Sequence, residues 1–299
     1  MTSAEKLHVL LIGSEGQLGS DLLRVANDFP DLEIHPFDLP ELDVTKADRV
    51  NEIINRVHPD WIVNLAAFHE VERCEVEFTR AFDVNAQGAQ NVARAAANNN
   101  AKVVFLSTDY VFSGLDRNFP YTEDDQPGPK SIYAASKLAG EKLTLNLAPG
   151  SLVVRSCGLY GETPPKAKAT NFVTGILSRA RKKDPLRVVS DQICTPTWTR
   201  PLAQTALACL VSPTPLSGVI HATCQGQCSW HEFATAILDE AEIKADVAAI
   251  SSEQFGAKVK RPPYSVLDNT RLRQAGLDRL PPWREALKDY MQRLRERGL

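Results

Sequence analysis

Apolar residues in this chain fall mostly into short runs that alternate with segments of helical periodicity. Five such runs predict strands, at 7–12, 33–37, 61–65, 102–107 and 151–155. Most of these runs are continuously apolar, as expected for strands that are buried on both faces. The segments that predict helices lie between them, at 20–27, 47–57, 81–98 and 133–146. This alternation predicts an α/β fold with a doubly wound parallel sheet of the Rossmann type.

Beyond residue 155 the pattern becomes less regular. It predicts strands at 186–189 and 218–222, and helices at 171–181, 201–210, 229–241 and 282–297. The last helix would bury Leu287, Tyr290, Met291 and Leu294 on one face. We predict a Rossmann domain at 1–158 that is completed by 185–224, and a small C-terminal lobe formed by 159–184 and 225–299.

Composition narrows the possible functions. Hydrophobic residues make up 43% and charged residues 24% of the 299 residues, as in a globular protein with a substantial core. The net charge of −3 argues against binding to nucleic acid. No apolar run reaches the roughly 18 residues that span a bilayer, so we predict no membrane partner. The six cysteines lack zinc-ligand spacing, which predicts reduced thiols, a cytoplasmic location and no metal site.

Three glycines follow the first predicted strand and lead into a helix. Gly13, Gly16 and Gly19 would permit a tight turn and let a pyrophosphate approach the backbone at a helix N-terminus. Asp38 ends the second strand, where its carboxylate would either accept the hydroxyls of an adenosine ribose or cap a turn. We therefore predict a dinucleotide-binding domain and assign substrate binding to the C-terminal lobe. The predicted cofactor contacts in and after the first three strands are Gly13, Gly16, Gln17, Leu18, Gly19, Asp38, Asp43, Val44, Leu65, Ala66 and Ala67.

Tyr133 and Lys137 stand four residues apart in a predicted helix and therefore share a helix face. A free phenol has a pKa of about 10. A nearby ammonium group stabilises the phenolate and lowers that pKa, which lets tyrosine act as a general acid or base near neutral pH. Thr108 ends the fourth strand, at the edge where ligands of such sheets bind. A hydroxyl at Thr108 could hydrogen-bond a substrate carbonyl oxygen, although by itself this residue is more typical of a turn. With Tyr133 and Lys137 it forms the candidate catalytic set.

Several motifs, taken in chain order, resemble those of the extended short-chain dehydrogenases/reductases. They are Gly13-x-x-Gly16-x-x-Gly19, Asn64-Leu65-Ala66-Ala67, Ser107-Thr108-Asp109-Tyr110-Val111-Phe112 and Tyr133-x-x-x-Lys137. More narrowly, the chain resembles the dTDP-4-dehydrorhamnose reductase family over nearly its whole length. That resemblance rests also on Gly16-Gln17-Leu18-Gly19, Ser136-Lys137-Leu138-Ala139-Gly140-Glu141, Asn171-Phe172-Val173, Asp191-Gln192, Thr195-Pro196-Thr197 and 261–268.

The resemblance implies hydride transfer from NADPH or NADH to C4 of a 4-keto-6-deoxy sugar nucleotide, with dTDP-4-dehydrorhamnose as the expected substrate. Tyr133 would donate the proton, Lys137 would lower the pKa of Tyr133 and hold the nicotinamide ribose, and Thr108 would orient the keto oxygen. The residues implied to face the substrate are Val71, Asp109, Tyr110, Tyr133 and Asn171. Family members commonly pair through helices beside the sheet, which implies a homodimer through 81–98 and 133–146.

Gly158 departs from the family pattern, which has a tryptophan in this segment. Because empty apolar volume is costly, we predict that a side chain from 68–71 or Tyr110 fills the space. The change touches the substrate pocket and leaves the hydride-transfer residues intact, so the reaction type is predicted more firmly than the sugar.

Two other functions stay open at this stage. A nucleotide-sugar epimerase of the same fold would use the same residues but keep NAD⁺ bound. A non-catalytic protein resembling the regulatory subunit of methionine adenosyltransferase would have no need of Thr108, Tyr133 and Lys137. A 4,6-dehydratase is disfavoured, because it would place an acidic residue directly after Asp109, where this chain has Tyr110.

Overall fold

Strands and helices alternate through the first half of the chain in a computed structural model that describes residues 6–115, 117–164 and 170–298. The strands are β1 (Leu7–Ile12), β2 (Leu32–Phe37), β3 (Trp61–Asn64), β4 (Lys102–Thr108), β5 (Leu152–Ser156), β6 (Leu159–Tyr160), β7 (Leu186–Val189), β8 (Ile193–Cys194), β9 (Thr197–Trp198), β10 (Gly218–His221), β11 (Cys228–Ser229) and β12 (Val247–Ile250). The α-helices are α1 (Gln17–Val25), α2 (Ala47–Val57), α3 (Val71–Val76), α4 (Phe78–Phe82), α5 (Gly88–Asn98), α6 (Ile132–Leu147), α7 (Phe172–Arg181), α8 (Thr199–Leu210), α9 (Trp230–Glu240), α10 (Ser252–Phe255), α11 (Thr270–Gln274) and α12 (Trp283–Glu296).

The central sheet has six parallel strands in the order β10-β5-β4-β3-β1-β2. The chain runs from β1 to β2 on one side and from β3 outward on the other, so the direction of winding reverses between β1 and β3. Open sheets of this kind bind ligands beyond the carboxyl ends of the strands, at such a reversal. The predicted doubly wound parallel sheet is confirmed.

Both faces of the central sheet are covered by helices. In β1, Val9 and Leu11 pack into the core on one face, whereas Leu10 and Ile12 pack into the core on the other. Helices α1 and α8 lie against each other on the first face. Since each residue from Val9 to Ile12 meets one of two apolar layers, this part of β1 is continuously apolar rather than alternating.

A third core lies in the C-terminal part of the chain. Tyr160, Phe233 and Tyr290 are buried at its centre, between α7, α9 and α12. Helix α12 buries the four residues that the sequence predicts for one face. Strand β10 joins the central sheet, whereas β7 pairs with β12 in a separate two-stranded sheet beside α9. The boundary between Rossmann domain and lobe stays a prediction.

Two helices differ most from their predicted bounds. Helix α1 begins at Gln17 rather than at residue 20, because Gly16 is already its N-cap. The predicted helix at 81–98 is divided into α4, a π-helical turn at Asp83–Gln87 and α5. Such turns insert an extra residue and often occur at functional sites. Among the described residues, no helix is both long and apolar enough to cross a membrane.

Candidate active site

A cavity of about 770 Å³ opens at the carboxyl ends of the central strands and reaches residues of the C-terminal lobe. It brings together nearly all residues that the sequence analysis selected. Those that line it are Gly13, Gly16, Gln17, Leu18, Gly19, Asp38, Asp43, Val44, Leu65, Ala66, Ala67, Val71, Thr108, Asp109, Tyr110, Tyr133 and Lys137. Asn171 is the predicted site residue that does not line it.

The glycine loop forms a narrow cradle between β1 and α1. Gly13 has φ +86°, and a Cβ atom there would lie 3.2 Å from the Cβ atom of Leu65. A Cβ atom at Gly19 would lie 2.2 Å from the Gly13 carbonyl oxygen. Larger residues would therefore fill the cradle or push α1 away from the loop. Gly16 has no side chain to cap α1, so the backbone N–H groups in the first turn of α1 are available to a pyrophosphate. The glycine loop therefore fits a dinucleotide.

Asp38 lies where β2 ends, beside the glycine loop. One of its carboxylate oxygens accepts a hydrogen bond from the Glu15 backbone N–H at 2.8 Å, and the other accepts one from the Leu39 N–H at 2.7 Å. The side chain thus stabilises the turn and also lines the cavity. Its contact with a ribose stays a prediction, as does that of Asp43, whose carboxylate accepts hydrogen bonds from Thr45.

The side chains of Tyr133 and Thr108 are hydrogen-bonded, and both residues line the cavity. The Tyr110 ring meets the Tyr133 ring edge-on, with centroids 6.0 Å apart. Burial raises the pKa of Tyr133 above its ordinary value, and the hydrogen bond with Thr108 opposes that rise only in part. The prediction that Lys137 lowers this pKa is not met, because burial dominates and raises it. Tyr133 is therefore a protonated phenol at neutral pH.

Lys137 is buried one turn further along α6, with 3% of its surface exposed. Its Nζ atom lies 4.0 Å from the centroid of the Phe105 ring. Burial lowers the pKa of Lys137 to about 7, and the negative charge of Glu141 acts in the opposite direction. The ammonium group therefore titrates close to neutral pH.

Asp109 forms a buried polar contact at the wall of the cavity. Its carboxylate accepts hydrogen bonds from Thr108 at 3.1 Å and from the Cys157 thiol at 3.1 Å, and it is also hydrogen-bonded to Ser265. Burial raises the pKa of Asp109 in spite of these partners. These hydrogen bonds hold the Thr108 end of β4 against Cys157 at the end of β5.

Asn85 is a site-forming residue that the sequence analysis missed. It lies in the π-helical turn and is fully buried. Its side chain accepts a hydrogen bond from the Phe68 N–H at 2.8 Å and donates to the Phe68 carbonyl and to Ser136, both at 3.0 Å. Asn85 thus connects the loop after β3 to α6, on which Tyr133 and Lys137 lie. An isolated asparagine in a helical segment gives no sequence signal for such a role.

Trp230 occupies the space beside Gly158. A Cβ atom at Gly158 would lie 3.2 Å from the Trp230 ring and 3.2 Å from the Pro196 Cα atom. The prediction that residues 68–71 or Tyr110 would fill this space is wrong, because Trp230 is the nearest side chain. Trp230 packs against Phe172, with ring centroids 4.7 Å apart, and both rings line the cavity. The sequence analysis missed both as site residues.

Asn171 has a structural role in the lobe. It is the N-cap of α7, accepts a hydrogen bond from the Thr174 N–H at 3.0 Å and donates to the Gly161 carbonyl at 2.8 Å. Its amide also donates to the Tyr290 hydroxyl. Asn171 does not line the cavity, so its predicted contact with the substrate stays a prediction.

Comparison with known proteins places this chain in a family. Residues 7–296 match the RmlD substrate binding domain family. The chain belongs to this family. It is 37% identical over 291 residues to a dTDP-4-dehydrorhamnose reductase of Aggregatibacter actinomycetemcomitans, covering 94% of this chain and 97% of that protein. It is also 37% identical over 284 residues to the spore coat polysaccharide biosynthesis protein SpsK of Bacillus subtilis strain 168, covering 95% and 96% of the two chains.

Solved structures of the family have the same fold. The crystal structure of dTDP-4-dehydrorhamnose reductase from Bacillus anthracis strain Ames, in complex with NADP, matches with a TM-score of 0.90. The two proteins are 37% identical, and the match covers 96% of this chain and 99% of that one. The family resemblance predicted from the sequence motifs is confirmed.

Proposed function

We propose that this protein is an NAD(P)H-dependent reductase of a 4-keto-6-deoxy sugar nucleotide, with dTDP-4-dehydrorhamnose as the substrate that its relatives favour. The observation that carries this proposal is that Thr108, Tyr133 and Lys137 line the same cavity as the glycine loop. A non-catalytic binding protein would not need those three groups together. The relatives are named as reductases, which further favours the enzyme.

The catalytic groups suit reduction at neutral pH. Bound NAD(P)H would supply the hydride. Tyr133 is protonated at neutral pH, as an ordinary phenol is, and burial raises its pKa further. It can therefore donate a proton to the more basic alkoxide that forms on the sugar. Thr108, hydrogen-bonded to Tyr133, would orient the carbonyl oxygen. The Lys137 cation would stabilise the phenolate that remains after proton transfer.

The lobe would supply the wall for the sugar nucleotide. Phe172 and Trp230 present adjacent aromatic rings to the cavity. Trp230 lies beside Gly158, whose neighbour Cys157 is hydrogen-bonded to Asp109, the residue next to Thr108. This places the indole toward the Thr108 end of the cavity rather than the glycine loop. We assign it to packing against the hexose ring. The predicted homodimer and cytoplasmic location remain predictions.

The decisive experiment measures absorbance at 340 nm while purified protein acts on dTDP-4-keto-6-deoxyhexose. A reductase consumes NADH or NADPH in a one-to-one ratio with the sugar nucleotide. An epimerase would interconvert sugars with bound NAD⁺ and leave the absorbance unchanged. A binding protein would change neither the absorbance nor the sugar nucleotide. Either of these two results would overturn the proposal.

Asp38 should make NADH an effective cofactor, although NADPH is also expected to serve. A carboxylate accepts ribose hydroxyls and repels a 2′-phosphate. We expect Asp38→Asn to raise KM for NADH about tenfold, as the loss of one charged hydrogen bond implies, and to lower KM for NADPH. Steady-state kinetics with both cofactors tests this, with KM for the sugar nucleotide as the internal control. A wild-type rate with NADH below about 1% of that with NADPH would contradict the role of Asp38.

Gly158→Trp should impair substrate binding. The position has φ +56° and lies 3.2 Å from both Pro196 and Trp230 at its Cβ site, so an indole would be strained and would collide with the existing one. We expect KM for the sugar nucleotide to rise at least about tenfold, since overpacking typically costs about 1–3 kcal/mol. Gly158→Ala isolates the backbone strain from the bulk of the ring. Improved turnover in Gly158→Trp would mean that the wild-type pocket is open there.

A further inference from the structure

Glu141 lies beneath the catalytic residues and takes no part in the chemistry described above. Only 1% of its surface is exposed. One carboxylate oxygen accepts hydrogen bonds from the Ser107 hydroxyl at 2.5 Å and from Arg155 Nε at 2.9 Å, and the other accepts one from Arg155 Nη2 at 2.7 Å. A carboxylate held by three hydrogen bonds, two of them from one guanidinium, has a fixed position.

The position of Glu141 links it to both halves of the catalytic set. It follows Lys137 by four residues and Tyr133 by eight, so all three lie along one face of α6. Ser107 directly precedes Thr108 on β4, and Arg155 lies opposite Ser107 on β5. The carboxylate therefore joins the helix with Lys137 to the strand with Thr108.

We propose that Glu141, anchored by Arg155 and Ser107, is a positioning residue that fixes a negative charge one helical turn from Lys137 and holds α6 in register with Thr108. The proposal rests on the reductase function proposed above. Without this carboxylate, burial would lower the pKa of Lys137 further, so that less of the cation that stabilises the Tyr133 phenolate would be present at neutral pH.

Other charged or titratable groups near this region do not replace Glu141. They are Cys74, Asp109, Tyr110, Tyr133 and Arg155. Among them and Glu141, the negative charge of Glu141 is the one that acts on Lys137, and it raises the lysine pKa against burial. Arg155 is itself a cation, so its role is to hold Glu141 rather than to favour a second positive charge.

The test compares wild-type protein with Glu141→Gln over a range of pH. The first readout is the pH profile of kcat/KM, whose alkaline limb should move to lower pH by about one unit when the carboxylate is lost. The second readout is the pH titration of the ¹³Cε resonance of Lys137 in lysine-labelled protein, assigned by its absence from Lys137→Met. That titration needs neither cofactor nor substrate. It therefore tests Glu141 even if the assay with the sugar nucleotide finds no reductase.

Glu141→Gln leaves Arg155 without its carboxylate and risks misfolding. The double variant Glu141→Leu, Arg155→Met removes both charges, and apolar replacement of a buried ion pair is often tolerated. It should shift the lysine titration to lower pH, as Glu141→Gln does. Asp125→Asn is the matched control, because it breaks the Arg117–Asp125 ion pair of 2.8 Å away from α6. The contrary result is that either Glu141 variant melts at a lower temperature while its lysine titration and its pH profile stay unchanged. That result would show a purely structural role and overturn the proposal.

Discussion

Tyr133→Phe should lower kcat by about 10²- to 10⁴-fold, the usual contribution of a general acid. The substitution keeps the ring and its edge-on contact with Tyr110 but removes the proton donor. Because the phenyl ring of the variant cannot protonate the alkoxide, water would have to do so. Apart from Lys137, the predicted cofactor contacts lie in the glycine loop and after β2 and β3, so the Kd for NADH should change little. Steady-state rates and a fluorescence titration with NADH measure the two quantities.

Tyr110→Phe is the matched control for Tyr133→Phe. Tyr110 also lines the cavity, and burial raises its pKa as well. Tyr110 contacts Thr108 through its backbone N–H at 3.2 Å, which the substitution keeps, whereas Tyr133 contacts Thr108 through its side chain. We expect this control to change KM more than kcat. If Tyr133→Phe kept more than about a tenth of the wild-type kcat, Tyr133 would not be the general acid.

Lys137→Met should abolish most of the activity and yet stabilise the protein without cofactor. Loss of the cation removes electrostatic stabilisation of the Tyr133 phenolate, which typically costs about 10²- to 10³-fold in kcat. The stability gain arises because burial lowers the pKa of Lys137 to about 7 from 10.5 in the unfolded chain. Keeping an ammonium group in this site therefore opposes folding.

The stability gain of Lys137→Met should depend on pH. Between about pH 7 and 10.5 the unfolded state holds the lysine proton and the folded state does not, so wild-type stability rises with pH in this window. Below about pH 7 both states are protonated, and the full cost is present. The variant should then be more stable by a few kcal/mol, on the order of 2–4. This advantage should shrink as pH approaches 10.5.

Urea unfolding at pH 6 and pH 9, without cofactor, would measure this difference in free energy of unfolding. Lys142→Met is the control, since Lys142 is exposed on the same helix. Equal stability of Lys137→Met and wild type at pH 6 would show that the lysine is well solvated, contrary to its burial.

Local sequence patterns were sufficient to predict the strands, the glycine loop and the helix face that form the site. Continuous apolar runs identify strands covered on both faces, and β1 shows why, since its residues alternate between two apolar cores. Glycine spacing and the separation of Tyr133 from Lys137 are also local, because a turn and a helix face each depend on a few neighbouring residues. Strand β12 was missed, since Ala248 and Ala249 are exposed and alanine has little preference for strands.

By itself, the sequence determined the parallel sheet, the glycine cradle and the placement of Thr108, Tyr133 and Lys137 at one edge, because strand ends in such a sheet meet there. Only the tertiary structure decided that Trp230 fills the space at Gly158 and that Asn85 fixes the Phe68 loop. It also decided the protonation behaviour of Lys137, which depends on burial and on Glu141. These features depend on contacts between elements that are distant in the sequence and on the burial that those contacts produce. The pattern of residues within one segment does not predict them.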